Sequence, residues 1–434
     1  MPKKKKKKTS TEKAPDKSKG SAEFDWKEHP QAEVSIGTIG HVDHGKSTLV
    51  EALTGKFPDT HSEELRRGIS IRLGYATCEF RKCPSCEEPE AFTTENICPR
   101  CQSETELLRR VAFVDAPGHE ILMATMLSGA AIMDGAILVI SANERCPMPQ
   151  TREHLAAIEI VGLSNILVAQ NKIELVSREG AIQNFNEIHD FLSETAADTA
   201  EIVPISAVNK ANLDILIQKV EQVIPTQSRD SSLPGRLLIA RSFDVNKPGY
   251  KIDRWSGGVI GGVIAQGTLS VGEEVEIRPG IKRGEKWQPI LTEIASLQAG
   301  FGPLETAAPG GLVGVGTKLD PALTKSDKLV GHIAGKPDSL PPTVESMTVD
   351  VHLLDQVVGS DEQIKVAPIE TGEPLMLNVG TSKTIGVVTG KTSNEGISTT
   401  LRLPICADDG MRTAISRRID RRWRLIGWGF ISSN

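Results

Sequence analysis

The run Gly40-His41-Val42-Asp43-His44-Gly45-Lys46-Ser47-Thr48 constrains this chain more than any other feature. It matches G-x-x-x-x-G-K-[ST], a loop whose backbone N–H groups close around phosphate. The flanks supply the setting the loop needs. Glu33 to Ile39 reads as a short buried strand, and Ser47 to Leu53 opens a helix. A strand, a tight glycine turn and a helix start aim consecutive N–H groups at an anion. Lys46 then reaches the outer phosphates, and the Ser47 hydroxyl ligates Mg²⁺. A mere glycine-rich turn would leave Lys46 and Ser47 without a purpose.

The rest of the chain provides a fold for that loop. At 434 residues there is room for two to four domains, taking roughly 100–200 residues for each. From Glu33 to about Ile224 strands alternate with amphipathic stretches. The strand candidates are Val34–Ile39, Val111–Asp115, Gly135–Ile140, Ile166–Gln170 and Ile202–Ile205. Thr151–Ile160 and Gly180–Thr195 read as helices between them. This is a doubly wound α/β pattern, which binds ligands beyond the carboxyl ends of its strands. After Pro225 the texture changes to short β-rich runs punctuated by Gly and Pro, which predicts two successive β-barrels. The expected domains are residues 32–228, 229–340 and 341–434, preceded by a Lys- and Ser-rich tail, residues 1–31, expected to be disordered. That tail is either a solvated extension or a basic arm touching RNA phosphates.

Composition excludes other classes. A chain that is 39% hydrophobic and 24% charged is ordinary for a globular protein with a large core. The basic start is not followed by an apolar segment, so no secretory signal is expected. The most apolar stretch, Met123 to Ala142, is interrupted by Gly129, Asp134 and Gly135. It reads as a helix, a turn and a buried strand, where a membrane span needs about 20 uninterrupted apolar residues. The cysteine count is 7, an odd number with four in a tight pattern. That favours a metal in a reducing cytoplasm over a disulfide framework.

Further motifs fall at strand ends. Asp115-Ala116-Pro117-Gly118 closes the run Val111–Val114 and suits a Mg²⁺-linked aspartate plus a glycine N–H that senses a γ-phosphate. Asn171-Lys172-Ile173-Glu174 follows Ile166–Gln170. A carboxylate at Glu174 accepts from the N1–H and exocyclic amine of guanine, which adenine cannot supply, so GTP is selected over ATP. Ser206-Ala207-Val208 brings backbone N–H groups to guanine O6. Between the loop and Asp115, Arg67-Gly68-Ile69-Ser70-Ile71 places a hydroxyl that completes the Mg²⁺ shell only with γ-phosphate present, as a switch segment does. Cys83-Pro84-Ser85-Cys86 and Cys98-Pro99-Arg100-Cys101 form two C-x₂-C knuckles. Together they suit one tetrahedral, structural Zn²⁺ in a knuckle spanning 78–104. Cys78, Cys146 and Cys406 have no partner spacing and read as small core residues.

These residues resemble the translational GTPases, through the loop at 40–46, Arg67–Ile71 and Asp115-Ala116-Pro117-Gly118-His119. The narrower resemblance is to the gamma subunits of archaeal and eukaryotic translation initiation factor 2. It rests on His61–Leu65, Leu73-Gly74-Tyr75-Ala76, the cysteine insertion, Asn171–Glu174 and the ending Arg422-Trp423-Arg424-Leu425-Ile426-Gly427-Trp428-Gly429. Ser70 and Glu174 stand where the superfamily usually carries Thr and Asp, and both keep the required oxygen. The resemblance implies that His119 positions the attacking water, with Val42 and Ile69 as an apolar gate. It implies a second cation near Asp43 and the Gly68 carbonyl. It also implies alpha and beta partner subunits in a heterotrimer (alpha on the second domain, beta on the first), methionyl initiator tRNA as cargo, and the small ribosomal subunit as destination. An elongation-factor-like carrier of another aminoacyl-tRNA, and a ribosome-bound scaffold switched by GTP, are the alternatives.

For the tRNA, the candidate contacts are Tyr75 as a platform for the aminoacyl end, Gly257 and Gly258 as sites of close backbone approach, and Arg421 and Arg424 in the arginine cluster of the last barrel. A core aromatic and an outward basic face with core tryptophans are the alternative readings there.

Overall fold

In a computed structural model, residues 28–58, 73–119, 122–247, 249, 251, 255–358, 364–392, 396–419 and 422–432 are described. No helix among them is long and apolar enough to cross a membrane.

The first domain is a seven-stranded sheet. Its strands are β1 (Val34–Ile39), β2 (Gly74–Lys82), β3 (Phe92–Thr93), β4 (Glu106–Asp115), β5 (Gly135–Ser141), β6 (Ile166–Asn171) and β7 (Ile202–Pro204), ordered β3-β2-β4-β1-β5-β6-β7. From β4 to β7 neighbouring strands are parallel; β2 and β3 are antiparallel additions at one edge. Among the described residues its α-helices are α1 (Lys46–Thr54), α2 (Met123–Ala130), α3 (Pro149–Val161), α4 (Arg178–Ser193) and α5 (Leu213–Val223).

Alternation along the strands sorts the helices between the two faces. On β5, Ile137 and Val139 pack with Leu49 and Val50 of α1 and Leu216 and Val220 of α5. Ala136, Leu138 and Ile140 pack instead with Met126 of α2, Leu155 and Ile158 of α3 and Ile188 of α4. A buried parallel strand needs apolar residues on both faces, which is why β5 reads as a continuous run. The stretch Met123 to Ala142 resolves as expected into α2, a turn and β5.

Two closed six-stranded barrels follow. The first comprises Arg236–Phe243, Val259–Gln266, Glu274–Arg283, Lys286–Ala299, Leu312–Thr317 and Ile333–Gly335, closed by pairing of Glu274–Arg283 with Lys286–Ala299. The second comprises Thr343–Leu353, Pro374–Val379, Ser382–Lys391, Ile397–Cys406, Arg412–Ile419 and Arg422–Ser432. Its last two strands, Arg412–Ile419 and Arg422–Ser432, pair antiparallel with Ile419 opposite Arg422.

Two seams join the barrels to the sheet domain. At the first, the buried Gln31 side chain donates to the carbonyls of Ala308 (2.7 Å) and Gly311 (3.2 Å) and accepts from Ala308 N–H (3.0 Å). Gly311 N–H also donates to Ala32 O at 2.7 Å. At the second, Arg424 Nη1 meets Glu153 Oε1 of α3 at 2.5 Å, Arg412 Nη1 donates to Glu159 O at 3.2 Å, and Asn378 Nδ2 donates to Ala124 O at 3.2 Å.

Candidate guanine-nucleotide site and cysteine knuckle

The phosphate loop leaves β1 at Ile39 and enters α1 at Lys46. Gly40 and Gly45 take φ values of 134° and 92°, which side chains disfavour, and Asp43 sits at φ 61°. Space enforces the glycines as well as angle. A Cβ on Gly45 would come within 2.4 Å of Asn171 Nδ2, and one on Gly118 within 2.6 Å of Lys46 Nζ. The same contact places Gly118 against the loop, so the two motifs separated in sequence form one site.

Parallel pairing of β1 and β4 sets Thr38 beside Asp115. Thr38 Oγ1 donates to Asp115 Oδ1 at 2.6 Å, and Ser47 Oγ donates to Asp115 Oδ2 at 2.5 Å. The hydroxyl and carboxylate expected around Mg²⁺ are therefore adjacent, and Thr38 orients the carboxylate. Lys46 Nζ donates to Gly40 O (3.0 Å) and His41 O (2.7 Å), which holds the ammonium over the loop. This set brings a cation, a hydroxyl and a carboxylate together at the N-terminus of α1, the kinds of group that a phosphate with a hard divalent cation needs.

Two residues that the sequence reading did not single out hold the loop from behind. Gly40 N–H donates to His154 Nδ1 at 2.9 Å, and Val42 N–H donates to Gln150 Oε1 at 3.2 Å, both on α3. His154 accepts at Nδ1, so its proton sits on Nε2. Burial holds His154 neutral, with its pKa pulled down to about 3. His44, also buried, is lowered to about 3 by desolvation, and its Nδ1 lies 3.2 Å from Val139 O. Residues 150 and 154 stand four apart on one helix face. Polar residues in that register on a face turned to the core are the signal by which they can be found in sequence.

Asn171 ties the phosphate loop to the loop at Ser206-Ala207. Its Nδ2 donates to His44 O at 3.0 Å, and its Oδ1 accepts from Ala207 N–H at 3.0 Å. Ser206 and Ala207 are buried, and Val208 is 72% exposed. Lys172 takes φ 63°, and Glu174 lies exposed in a short 3₁₀ turn, Ile173–Leu175. His119, half-buried, follows the Asp115–Gly118 turn. Gly68, Ile69 and Ser70 lie outside the described residues, as does Arg421.

The four knuckle cysteines converge. Their sulfurs all lie within 4.8 Å of one another, with Cys83 and Cys101 at 3.4 Å and Cys86 and Cys98 at 3.7 Å. A tetrahedral Zn²⁺ with bonds of about 2.3 Å spaces its sulfurs about 3.8 Å apart, so the donor set fits that ion. Hydrogen bonds from Ser103 pull the Cys101 thiol down to about 6, while the neighbouring Cys101 sulfur pushes the Cys86 thiol up to about 12.

The candidate tRNA residues divide. Tyr75 lines a cavity of about 380 Å³ between β2 and the first barrel, with Arg241, Phe243, Gly261 and Gln298. Its buried hydroxyl makes no hydrogen bond among the described residues, and burial raises its pKa. The close approach at Gly257 and Gly258 is to this chain itself. Cβ atoms there would meet Thr317 O at 1.7 Å and the Thr324 hydroxyl at 2.4 Å. Arg424 is turned inward to Glu153 because α3 packs on the last barrel. Arg412 lies over Trp428 at 4.4 Å, and Arg417 pairs with Glu373 at 2.5 Å. Of the arginines expected on an outward basic face, Arg418 and Arg422 are exposed among the described residues.

Comparison with known proteins places this geometry. Residues 31–226 match the Elongation factor Tu GTP binding domain, 257–327 match Elongation factor Tu domain 2, and 345–431 match Initiation factor eIF2 gamma, C terminal. Translation initiation factor 2 subunit gamma of Methanothermobacter thermautotrophicus is 57% identical over 405 residues, covering 92% of this chain and 99% of that protein. The protein of the same name from Pyrococcus abyssi is 56% identical over 405 residues, 92% and 98% of the two chains. Among solved structures, the bacterial selenocysteine-specific elongation factor EF-Sec superposes with a TM-score of 0.70 at 22% identity, over 92% of this chain and 58% of that one. Elongation factor SelB from Methanococcus maripaludis, bound to the GTP analogue GppNHp, superposes at 0.68 and 22%, over 93% and 80%. These two speak for the fold alone. With a phosphate loop whose Ser47 hydroxyl meets Asp115, and relatives matching along nearly their whole length, the chain belongs to the gamma-subunit family of translation initiation factor 2 and is a GTPase of the translational class.

Proposed function

We propose that this protein binds methionyl initiator tRNA in its GTP state, delivers it to the small ribosomal subunit, and hydrolyses GTP when the start site is selected. Family membership along nearly the whole chain is the observation that carries this reading. The cavity at Tyr75 supports it further. It lies where β2 of the nucleotide domain meets the first barrel, and Tyr75, Gly261, Gly262, Gly300 and Gly314 are among its lining residues. In sequence β2 begins three residues after the segment 67–71, so the proposed switch and the proposed cargo cavity are neighbours along the chain.

In this account Lys46 neutralises the outer phosphates, and Ser47 with Ser70 and Asp115 holds Mg²⁺. A second cation belongs near Asp43 and the Gly68 carbonyl. Mg²⁺ supplies charge stabilisation in phosphoryl transfer, and positioning supplies most of the rest. His119 orients the water, with Val42 and Ile69 excluding others. Asn171, Lys172, Glu174, Ser206, Ala207 and Val208 read the base. Cys83, Cys86, Cys98 and Cys101 hold a structural Zn²⁺. Alpha and beta subunits complete a heterotrimer in the cytoplasm. Leu175, Ile182 and Phe185 expose apolar side chains on the nucleotide domain, which supports a beta-subunit contact there.

Two measurements test this reading. Filter binding compares initiator with elongator methionyl-tRNA in the GTP state, and equal affinity sinks the initiator assignment in favour of a general aminoacyl-tRNA carrier. Single-turnover hydrolysis on ribosomes compares the parent with His119→Ala. A slowdown of about 10²-fold or more is expected for loss of a positioned proton-transfer or water-orienting group, and coinciding rates remove His119 from the mechanism.

A further inference from the structure

The cysteine knuckle has almost no core of its own. Its apolar cluster consists of Cys83, Ala91 and Cys98, with Cys86 packed against it. Four thiols are thus the main thing its interior contains, and a segment of this kind takes a fixed shape only when a metal gathers them. Yet its contacts with the rest of the nucleotide domain are specific, and they converge on one helix.

Arg100, between ligands Cys98 and Cys101, donates from Nη2 to Asp214 Oδ2 at 3.1 Å, and its Nη1 pairs with Glu90 at 3.1 Å. Glu88 Oε2 accepts from Gln218 Nε2 at 2.8 Å. Phe92 packs in the same core cluster as Leu213, Leu216 and Ile217. Asp214, Ile217 and Gln218 follow i, i+3, i+4 spacing, so the knuckle grips one face of α5.

That helix begins where the base loop ends. Ser206 N–H donates to Ala211 O at 3.2 Å, and Ala211 N–H donates to Ser206 O at 3.0 Å, which closes the loop. Lys210 and Asn212 both hold left-handed φ values, 53° and 60°. Such residues persist where the surroundings over-determine them. Asn212 Nδ2 donates to Pro204 O at 2.8 Å on one side, and α5 fixes the other side from Leu213 onward. Towards α1 the knuckle meets a cavity of about 530 Å³, bordered by Leu53, Thr94, Arg100 and Lys210. Its direct grip is therefore on the base side of the site.

We propose that the knuckle is a brace for the guanine-base loop: metal held by Cys83, Cys86, Cys98 and Cys101 sets how long guanine nucleotide stays bound, with Arg100 as the positioning residue that transmits the hold through Asp214. This rests on the reading of the four cysteines as a zinc site and of residues 206–208 as base contacts.

The test uses the full chain loaded with zinc and fluorescent GDP at fixed free Mg²⁺. Dissociation of GDP is followed before and after zinc is removed with a zinc-selective chelator, with released metal and circular dichroism recorded. Loss of the metal is expected to speed GDP release about tenfold, because an ordered contact surface is lost as a unit. Arg100→Ala, with its metal content unchanged, is expected to speed release about two- to fivefold, the range of one exposed ion pair. Arg100→Lys restores part of the effect. Asp214→Asn matches Arg100→Ala, and the double variant adds nothing. Discrimination between guanine and hypoxanthine nucleotides is expected to stay unchanged, since both bases carry the O6 that residues 206–208 meet and differ only in the amine that Glu174 reads; a fall in that ratio places the hold at Glu174 and overturns the brace of the 206–208 loop. Parent-like release from protein shown to have lost its zinc overturns the brace. Parent-like release from Arg100→Ala overturns the role of Arg100, whatever stripping does. Failure of the underlying reading looks different: the parent then carries no stoichiometric zinc or binds no guanine nucleotide.

Discussion

At the phosphate end of the nucleotide site, Thr38, Lys46 and Asp115 are buried, and each is bonded to a neighbour in the site. At the base end, Glu174 and Val208 stand exposed, and the loop carrying Ser206 and Ala207 is held by Asn171 and by the helix behind it. The first end is preorganised by hydrogen bonds among its own residues and by Gln150 and His154 behind the loop. The second takes its shape from scaffolding: one asparagine and the packing of α5. Preorganised donors bind what they are shaped for without paying to reorder, so affinity belongs to the phosphate end. On the proposed base assignment, discrimination belongs to the base end, where a wrong base leaves the Glu174 carboxylate unpaired.

The comparison is broken most severely at Lys46. Lys46→Ala removes the ammonium that reaches the phosphates. Since a hydrogen bond to a charged group is worth about 1.5–3 kcal/mol and several are lost, GTP and GDP affinities are expected to fall about 10²–10³-fold. Titration with fluorescent GDP reads this, and a loss below about tenfold would remove Lys46 from the phosphate contacts. Glu174→Gln acts at the other end. Guanine nucleotides are expected to weaken about 10- to 100-fold while adenine nucleotides stay unchanged, so the ratio collapses. Competition between GDP and ADP measures it, and an unchanged ratio contradicts the base assignment.

Acid separates the two ends differently. His44 and His154 are buried at the phosphate end with pKa values lowered to about 3, against about 6.5 in an unfolded chain. The unfolded state therefore takes up protons that the folded state refuses. Stability is full above pH 6.5 and is lost as pH falls towards 3. At pH 5 each histidine accounts for about 2 kcal/mol of that loss. Thermal melts between pH 7 and 5 check it, and His154→Gln, which keeps an acceptor for Gly40 N–H, is expected to flatten the slope. The smallest effect on nucleotide affinity is expected at the far side of α3. Arg424→Ala leaves Glu153 without the arginine that turns inward to it and is expected to cost about 1–3 kcal/mol of stability. Nucleotide affinity should change little, since Gln150 and His154 still hold the loop.

Much of the site was legible in the sequence because its motifs are contiguous and sit at strand ends. The loop at Gly40–Ser47, the turn at Asp115–Gly118 and the knuckle cysteines each declare their chemistry within a few residues. The parallel strands were legible for a related reason: burial on both faces makes each a continuous apolar run. What stayed hidden was partnership across sequence distance. Nothing local marks Gln31 as a clamp on Ala308 and Gly311, or His154 as the acceptor for Gly40. The arginines at the end of the chain looked like an outward basic face, but Arg424 faces Glu153 and Arg417 faces Glu373. Composition reports that charges are present, while topology decides which of them meet. The short edge strand β3 and the long β2 escaped notice because antiparallel edge strands need only one apolar face.

The account rests on nucleotide state controlling cargo, and one measurement reaches that directly: the affinity of the full chain for methionyl initiator tRNA, compared between GTP and GDP in the same buffer. The account predicts tighter binding with GTP by about tenfold or more, the size of an ordinary coupling free energy. Equal affinities in the two states would contradict it.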